Sequence, residues 1–205
     1  QRQMCIRDRS CISVQRVIVH ADVYDKLVPK IVEKTKALKL TDAYDDQTIV
    51  GPLIDEAAAA RVEEWVNEAV SSGAKLAAGG VRDGAYYHAT VLTDVPADAK
   101  VSSCEVFGPV IVITKVNSTA EAFELVNDSN YGLQAGVFTH DIQTAFLAQS
   151  TLEVGGVIIG DVPAFRADHM PYGGLKNSGV GKEGVRWAME DLTHERIMVL
   201  TGLTL

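Results

Sequence analysis

PVIVITKV, residues 109–116, is the stretch that most limits the possible folds. A near-continuous β-branched run of this kind fits a strand buried on both faces, and such strands belong to parallel sheets covered by helices on either side. RVIV (16–19) and GGVIIG (155–160) have the same character, and QAGVFT (134–139) is a further strand. Helical patterns lie between them. In ADVYDKLVPKIVEKTKAL (21–38), Val23, Tyr24, Leu27, Val28 and Ile31 keep helical spacing, although Pro29 predicts a kink. In DEAAAARVEEWVNEAVSSGA (55–74), Asp55 is the cap, Val62, Trp65, Val66, Ala69 and Val70 form one stripe, and Gly73 ends the helix. KLAAGG (75–80) and YYHATVLTDV (86–95) read as strands, the second with an antiparallel, alternating look. Ser118 and Glu121 make a capping box ahead of AEAFELVNDS, and Asp141 caps a later helix. Alternation at this spacing implies βαβ units, hence an α/β fold with a doubly wound, mostly parallel sheet.

The 205 residues suit one domain. We place it at 10–190, with 191–205 as a C-terminal strand and tail. RIMVLTGLTL (196–205) is apolar and β-prone with nothing after it to cover it, so it is expected to pair with a partner. Residues 1–9, QRQMCIRDR, carry no periodic apolar pattern and no apolar signal core, and are read as a non-native scar. Cys5 falls inside them and is assigned no role.

A net charge of -8 and the lack of any Lys/Arg block argue against nucleic acid as a partner. No segment approaches the roughly 18 apolar residues of a membrane span. Three cysteines, an odd number, do not suggest a disulfide framework and fit a reducing, cytoplasmic setting. No metal site is expected.

Two glycine- and proline-bearing stretches exceed what turns require: CEVFGPV (104–110) and MPYGGLKNSGVGKEG (170–184), the latter with five glycines in fifteen residues. Composition alone leaves ligand site and structural turn equally open for both. A phosphate loop is excluded, because Gly181-Lys182 is followed by Glu183 where Ser or Thr is needed. Cys11, just ahead of the first strand, reads as a buried small hydrophobe, a disulfide partner or a nucleophile.

Four blocks carry a more specific signal: SCISVQRVIV, EVFGPVIVI, NDSNYGLQAGVFTHD and FRADHMPYGGLKNSGVGKEG. In this order and spacing, Cys11 to about Leu200 resembles the C-terminal catalytic part of the aldehyde dehydrogenase superfamily. The variant VPAFRADHMPYGG is similar to the branch acting on lactaldehyde, glycolaldehyde and related small or anionic aldehydes. The resemblance implies that Cys11 is the nucleophile. Its thiolate attacks the aldehyde carbonyl, the adduct passes hydride to NAD or NADP, and water hydrolyses the thioester. The Cys11 backbone N–H is implied as part of the oxyanion hole. Glu105 matches the glutamate that holds the nicotinamide ribose, and Phe107 the aromatic packed near the nicotinamide. Phe165 and Tyr172 match positions lining the aldehyde tunnel. Arg166 and His169 are candidates for reading an anionic substrate tail, with Asp168 as an alternative ion-pair partner for Arg166. Cys104 is read as a packed thiol, and Lys176 and Glu183 as structural or interfacial residues. The tail implies a parent homodimer or homotetramer.

Departures accompany the match. Asp8-Arg9 stands where the family has Gly-Gln, and Gly160 where relatives have an asparagine. The residues that in the family supply the main cofactor-binding sheet, the general-base glutamate and the side-chain oxyanion donor are not among these 205, so the match covers roughly the last 40% of a full-length enzyme. The isolated chain is therefore expected to lack meaningful dehydrogenase activity. Three other readings stand beside this one: a non-catalytic scaffold that kept the fold, a dehydrogenase releasing its thioester to coenzyme A, and a thiol-only enzyme using Cys11 without nicotinamide. The last has no second cysteine at C-x-x-C spacing to support it.

Overall fold

The computed structural model describes residues 10–42, 44 and 48–202; Cys5 and the 1–9 stretch lie outside them. Arg16–His20 (β1) runs directly into Ala21–Lys36 (α1), where His20 is extended and its Nδ1 accepts from the Asp22 N–H at 3.3 Å. Pro29 does not end α1. Tyr24, Val28, Ile31 and Val32, from both sides of the proline, pack on one sheet face and hold the two halves to a common surface. Glu56–Ser71 (α2) begins as expected, with Asp55 Oδ1 accepting from the Ala58 N–H at 2.7 Å.

Lys75–Ala78 (β2) follows, then the hairpin of Arg82–Asp83 (β3) and Tyr86–Tyr87 (β4), and Thr90–Thr93 (β5). The single strand expected over 86–95 is thus two. Thr90 Oγ1 donates to His88 O at 2.7 Å and accepts from the Gly80 N–H at 2.9 Å, which turns the chain between them. The short helix Lys100–Ser103 (α3), without a helical pattern in the sequence, precedes Val110–Val116 (β6).

These strands form one four-stranded sheet in the order β1-β6-β5-β2, parallel across β1/β6 and β6/β5 and antiparallel across β5/β2. Alternate residues point to opposite faces. Leu92, Val110 and Val112 meet Ala59, Val62, Val66 and Ala69 of α2. Val91 and Ile113 join Val19 under α1 on the other side. Helices on both faces are what the double apolar run required. Full burial of a Val or Leu side chain contributes roughly 1.5–3 kcal/mol.

After Thr119–Asn127 (α4), capped by Ser118, come Tyr131–Gly132 (β7), Gln134–Val137 (β8), Ile142–Thr151 (α5) and Gly156–Ile159 (β9). The strands β8 and β9 pair in parallel, but as a two-stranded sheet of their own rather than as members of the main sheet. Phe123, Ala148 and Leu152 cover it. Leu175–Lys176 (β10) returns antiparallel to β7, and Val185–Asp191 (α6) follows. Gly160, where the resemblance implies an asparagine, takes a positive φ of 82°, donates its N–H to Val137 O at 2.9 Å, and has open space where a Cβ would stand. Beyond α6 no strand is formed among the described residues. Residues 193–201 have no ladder, and Ile197, Met198, Val199 and Leu200 are exposed. A strand needs an edge to pair with. No helix among the described residues is long and apolar enough to cross a membrane.

Tyr87 is fully buried, and among the described residues its Oη meets no hydrogen-bond partner of good geometry. Burial, reinforced by the Glu63 charge, pushes its phenol up to about 12. The neutral form is favoured in the folded state, so this contribution is complete below the unfolded value of about 10 and is lost as pH rises from there towards 12. Tyr87→Phe is expected to leave stability at pH 7 unchanged or raised, and to flatten a decline of roughly 2–3 kcal/mol between pH 10 and 12. Urea melts of both chains across that range check it.

Candidate active site around Cys11

Cys11 lies on the turn just ahead of β1, closed by the Ser13 N–H donating to Ser10 O at 2.9 Å. Its thiol is free and exposed. Its Sγ sits 2.6 Å from Tyr172 Oη, a contact bridging 161 positions of sequence. Tyr172 is only 5% exposed. The Arg166 guanidinium lies over its ring, 4.2 Å from the centroid, and Arg166 Nη2 donates to Glu183 Oε2 at 2.8 Å. Tyr172 and Glu183 also exchange backbone hydrogen bonds of 3.0 and 2.6 Å. Burial, then the hydrogen bond and charge of Cys11, raise the Tyr172 phenol above its ordinary value, with Glu183 adding and Arg166 opposing. The phenol therefore stays protonated, and so able to donate, through the range in which a cysteine titrates.

The ion-pair partner of Arg166 is thus Glu183, not Asp168. Asp168 and His169 instead line an open apolar hollow with Val185, Arg186 and Met189, which neither Cys11 nor Tyr172 lines. The geometry brings Cys11, Tyr172 and Arg166 together and leaves His169 outside that cluster. Phe165 is about half exposed, on a loop that Gln134 steadies from β8 through hydrogen bonds to Pro163 O at 2.6 Å and Phe165 O at 3.2 Å.

Glu105 and Phe107 are carried on the loop between α3 and β6. Both are exposed, and the Glu105 carboxylate makes no hydrogen bond or ion pair among the described residues. Two free acceptor oxygens are a donor set that suits a ribose diol, so the residues present fit the nicotinamide nucleotide implied by the resemblance. Phe107 holds φ at 50°, a conformation unusual outside glycine, and such strain gathers at functional sites. A Cβ on neighbouring Gly108 would stand 2.8 Å from a Val62 methyl, so glycine lets the loop lie directly on α2.

What ties this loop to the cysteine was not legible in the motifs. Gln15 Nε2 donates to Val101 O at 3.1 Å and Cys104 O at 2.6 Å, while its Oε1 accepts from the Val106 N–H at 3.0 Å. Arg61, stacked on Trp65, donates from Nη2 to Val106 O at 2.7 Å. The only signal for Gln15 was a polar amide at the entrance of a buried strand. Cys104 is half-buried beside Ser103, consistent with a packed thiol. Lys176 is structural: its Nζ donates to Asn127 O at 2.6 Å and pairs with Glu153 at 2.8 Å.

Backbone crowding brings the glycine-rich segment back to the cysteine. A Cβ on Gly155 would collide with the Gly173 carbonyl, and one on Gly173 with the Gly181 carbonyl. Gly179, Gly181 and Gly184 have the letters of G-x-G-x-x-G. They follow the antiparallel β10 and open a helix of seven residues, which is not the parallel strand–turn–helix that binds a dinucleotide.

A family model described as "Aldehyde dehydrogenase family" matches residues 3–198. The 3-sulfolactaldehyde dehydrogenase of Priestia megaterium is 53% identical over 190 residues, covering 93% of this chain and 40% of that protein. Aldehyde dehydrogenase 21 from Physcomitrella patens, solved with the reaction product succinate, superposes with a TM-score of 0.88 at 46% identity over 90% of this chain and 38% of that one. A glyceraldehyde-3-phosphate dehydrogenase from Methanocaldococcus jannaschii complexed with NADP gives 0.87 at 40% identity, covering 92% and 41%. The chain thus spans about two-fifths of the length of these relatives.

Replacing Gln15 by Leu removes three hydrogen bonds and leaves Val101 O, Cys104 O and the Val106 N–H unpaired. A loss of about 1–3 kcal/mol in denaturant unfolding is expected, together with faster thiol labelling of Cys104 as the loop loosens. Labelling followed by peptide mass analysis checks it.

Proposed function

The chain belongs to the aldehyde dehydrogenase family, and from that premise we propose that it is the cysteine-bearing part of an NAD(P)-dependent dehydrogenase. Its substrate is a small aldehyde with a hydroxyl or anionic group, oxidised to the carboxylate. The observation that carries this reading is the shared tyrosine: Cys11 Sγ meets Tyr172 Oη on one side, and the Arg166 guanidinium covers the same ring. A cysteine thiol and a guanidinium able to grip an anion bidentately thus flank one aromatic side chain, which supports the pairing of a nucleophile with an anion-reading cation.

The Cys11 thiolate forms the bond to the aldehyde carbon. The carbonyl oxygen takes the negative charge, which suits the backbone N–H of Cys11 as a donor. A bound nicotinamide supplies the acceptor for the hydride the adduct gives up. Water then hydrolyses the Cys11 thioester and frees the thiol. Glu105 would hold the ribose by its two carboxylate oxygens and Phe107 would offer an aromatic face to the bound nucleotide, while Phe165 with the Tyr172 ring excludes water from the aldehyde. An anionic tail reaches Arg166 by replacing the Glu183 carboxylate. The relatives' names support an anionic substrate, since sulfolactaldehyde, succinate and glyceraldehyde 3-phosphate each carry an anionic group beyond the reacting carbon. The exposed apolar tail, together with Ile142, Phe146 and Leu147 on α5, supports a homodimer or homotetramer. Free Cys11 and Cys104 support a cytoplasmic setting.

The test is the chain joined to an N-terminal half of the family, assayed with sulfolactaldehyde and with neutral lactaldehyde, with NAD or NADP as oxidant. Cys11→Ser is expected to lower turnover by about a thousandfold or more. Arg166→Met is expected to raise KM for the anionic aldehyde roughly tenfold and to change the neutral one little. Turnover that survives Cys11→Ser overturns the reading.

A further inference from the structure

The resemblance makes Tyr172 part of an aromatic wall, a role phenylalanine would fill as well. The contact of its hydroxyl with the sulfur is not explained by that role. Resting on the reading of Cys11 as nucleophile, we propose that Tyr172 acts on the nucleophile itself, its phenolic O–H donating a hydrogen bond to the Cys11 sulfur and favouring the thiolate.

Three observations carry this. The Oη and Sγ atoms are 2.6 Å apart. The ring is fixed: it is buried, lies under the Arg166 guanidinium, and is held by two backbone hydrogen bonds to Glu183. A donor held in place costs little ordering when the charge forms, which is the condition for preorganised stabilisation. The charged neighbours also have the right arrangement. Arg166 faces the ring from the 165–169 loop, and Glu183, from the segment ahead of α6, neutralises the guanidinium without touching the sulfur. The shift of the phenol agrees in direction, since burial and the Cys11 contact both keep it protonated. A hydrogen bond to the charged form of an acid favours that form. The role is distinct from holding substrate, and it is exerted before any aldehyde arrives.

The 205-residue chain itself provides the test, because thiol alkylation needs neither cofactor nor substrate. Iodoacetamide reacts with the thiolate, and its rate at Cys11, read by peptide mass analysis against pH, reports how readily that thiolate forms. Tyr172→Phe keeps the ring and removes only the donor. It is expected to slow alkylation of Cys11 roughly five- to tenfold at pH 7 and to move the profile to higher pH, while the rate at Cys104 stays unchanged. Arg166→Gln, which removes the cation over the ring and leaves the hydroxyl, is expected to move the profile the same way by a smaller amount. Matching circular dichroism melts separate this from unfolding; if Tyr172→Phe melts early, the Arg166→Gln profile decides. A profile unchanged in a folded Tyr172→Phe chain overturns the proposal and leaves Cys11 as nucleophile. A Cys11 that reacts no faster than Cys104 in the unaltered chain overturns both.

Discussion

The parallel ladder between β1 and β6 is the constraint on which the site depends. Arg16 pairs with Val112, so the segments ahead of both strands emerge at the same end of the sheet. One carries Cys11 and the other carries Glu105 and Phe107. Were the two strands antiparallel, these loops would leave from opposite ends. The pairing is itself secured by burial on both faces, under α2 through Val110 and Val112 and under α1 through Ile113. The core that stabilises the fold thus also fixes the place of Cys11 relative to Glu105 and Phe107. Gln15 finishes the job locally, using both ends of its amide to join the two loops, and its own carbonyl accepts from the Val112 N–H at 2.8 Å.

The other half of the site is brought in by close backbone approach. The segment from 170 to 184 is long and has little regular structure, yet it is pinned at β10 to β7 and at Gly173 against Gly155. The second of these contacts needs residues without a Cβ. Tyr172, immediately ahead of Gly173, has its backbone fixed by Glu183, so its side chain reaches Cys11 from a supported position. Glycine here serves packing of backbone on backbone.

Charge completes the arrangement. Arg166 is bound twice, to the Tyr172 ring and to Glu183, and both partners come from the segment carrying the glycines. An exposed ion pair of this kind contributes little to stability, about 0–1 kcal/mol. Its consequence lies in placement: a guanidinium is held beside the tyrosine that touches the sulfur.

The sequence by itself determined the alternation of strands and helices, the caps at Asp55, Ser118 and Asp141, and the double-faced burial of 110–116, because periodicity and capping are local and short-ranged. The block motifs likewise made Cys11, Glu105, Phe107 and Tyr172 legible as a set. Only the tertiary structure decided which of them meet. It split 86–95 into two strands through the hydrogen bonds of Thr90, set β8 and β9 in a sheet of their own, left the tail unpaired, gave Arg166 to Glu183 instead of Asp168, and put His169 in a separate hollow. Each of these turns on partners far apart in the chain, and no pattern confined to neighbouring residues encodes them. The contact between Cys11 and Tyr172 is the extreme case: its atoms come from opposite ends of the domain, and the folded backbone alone brings them together.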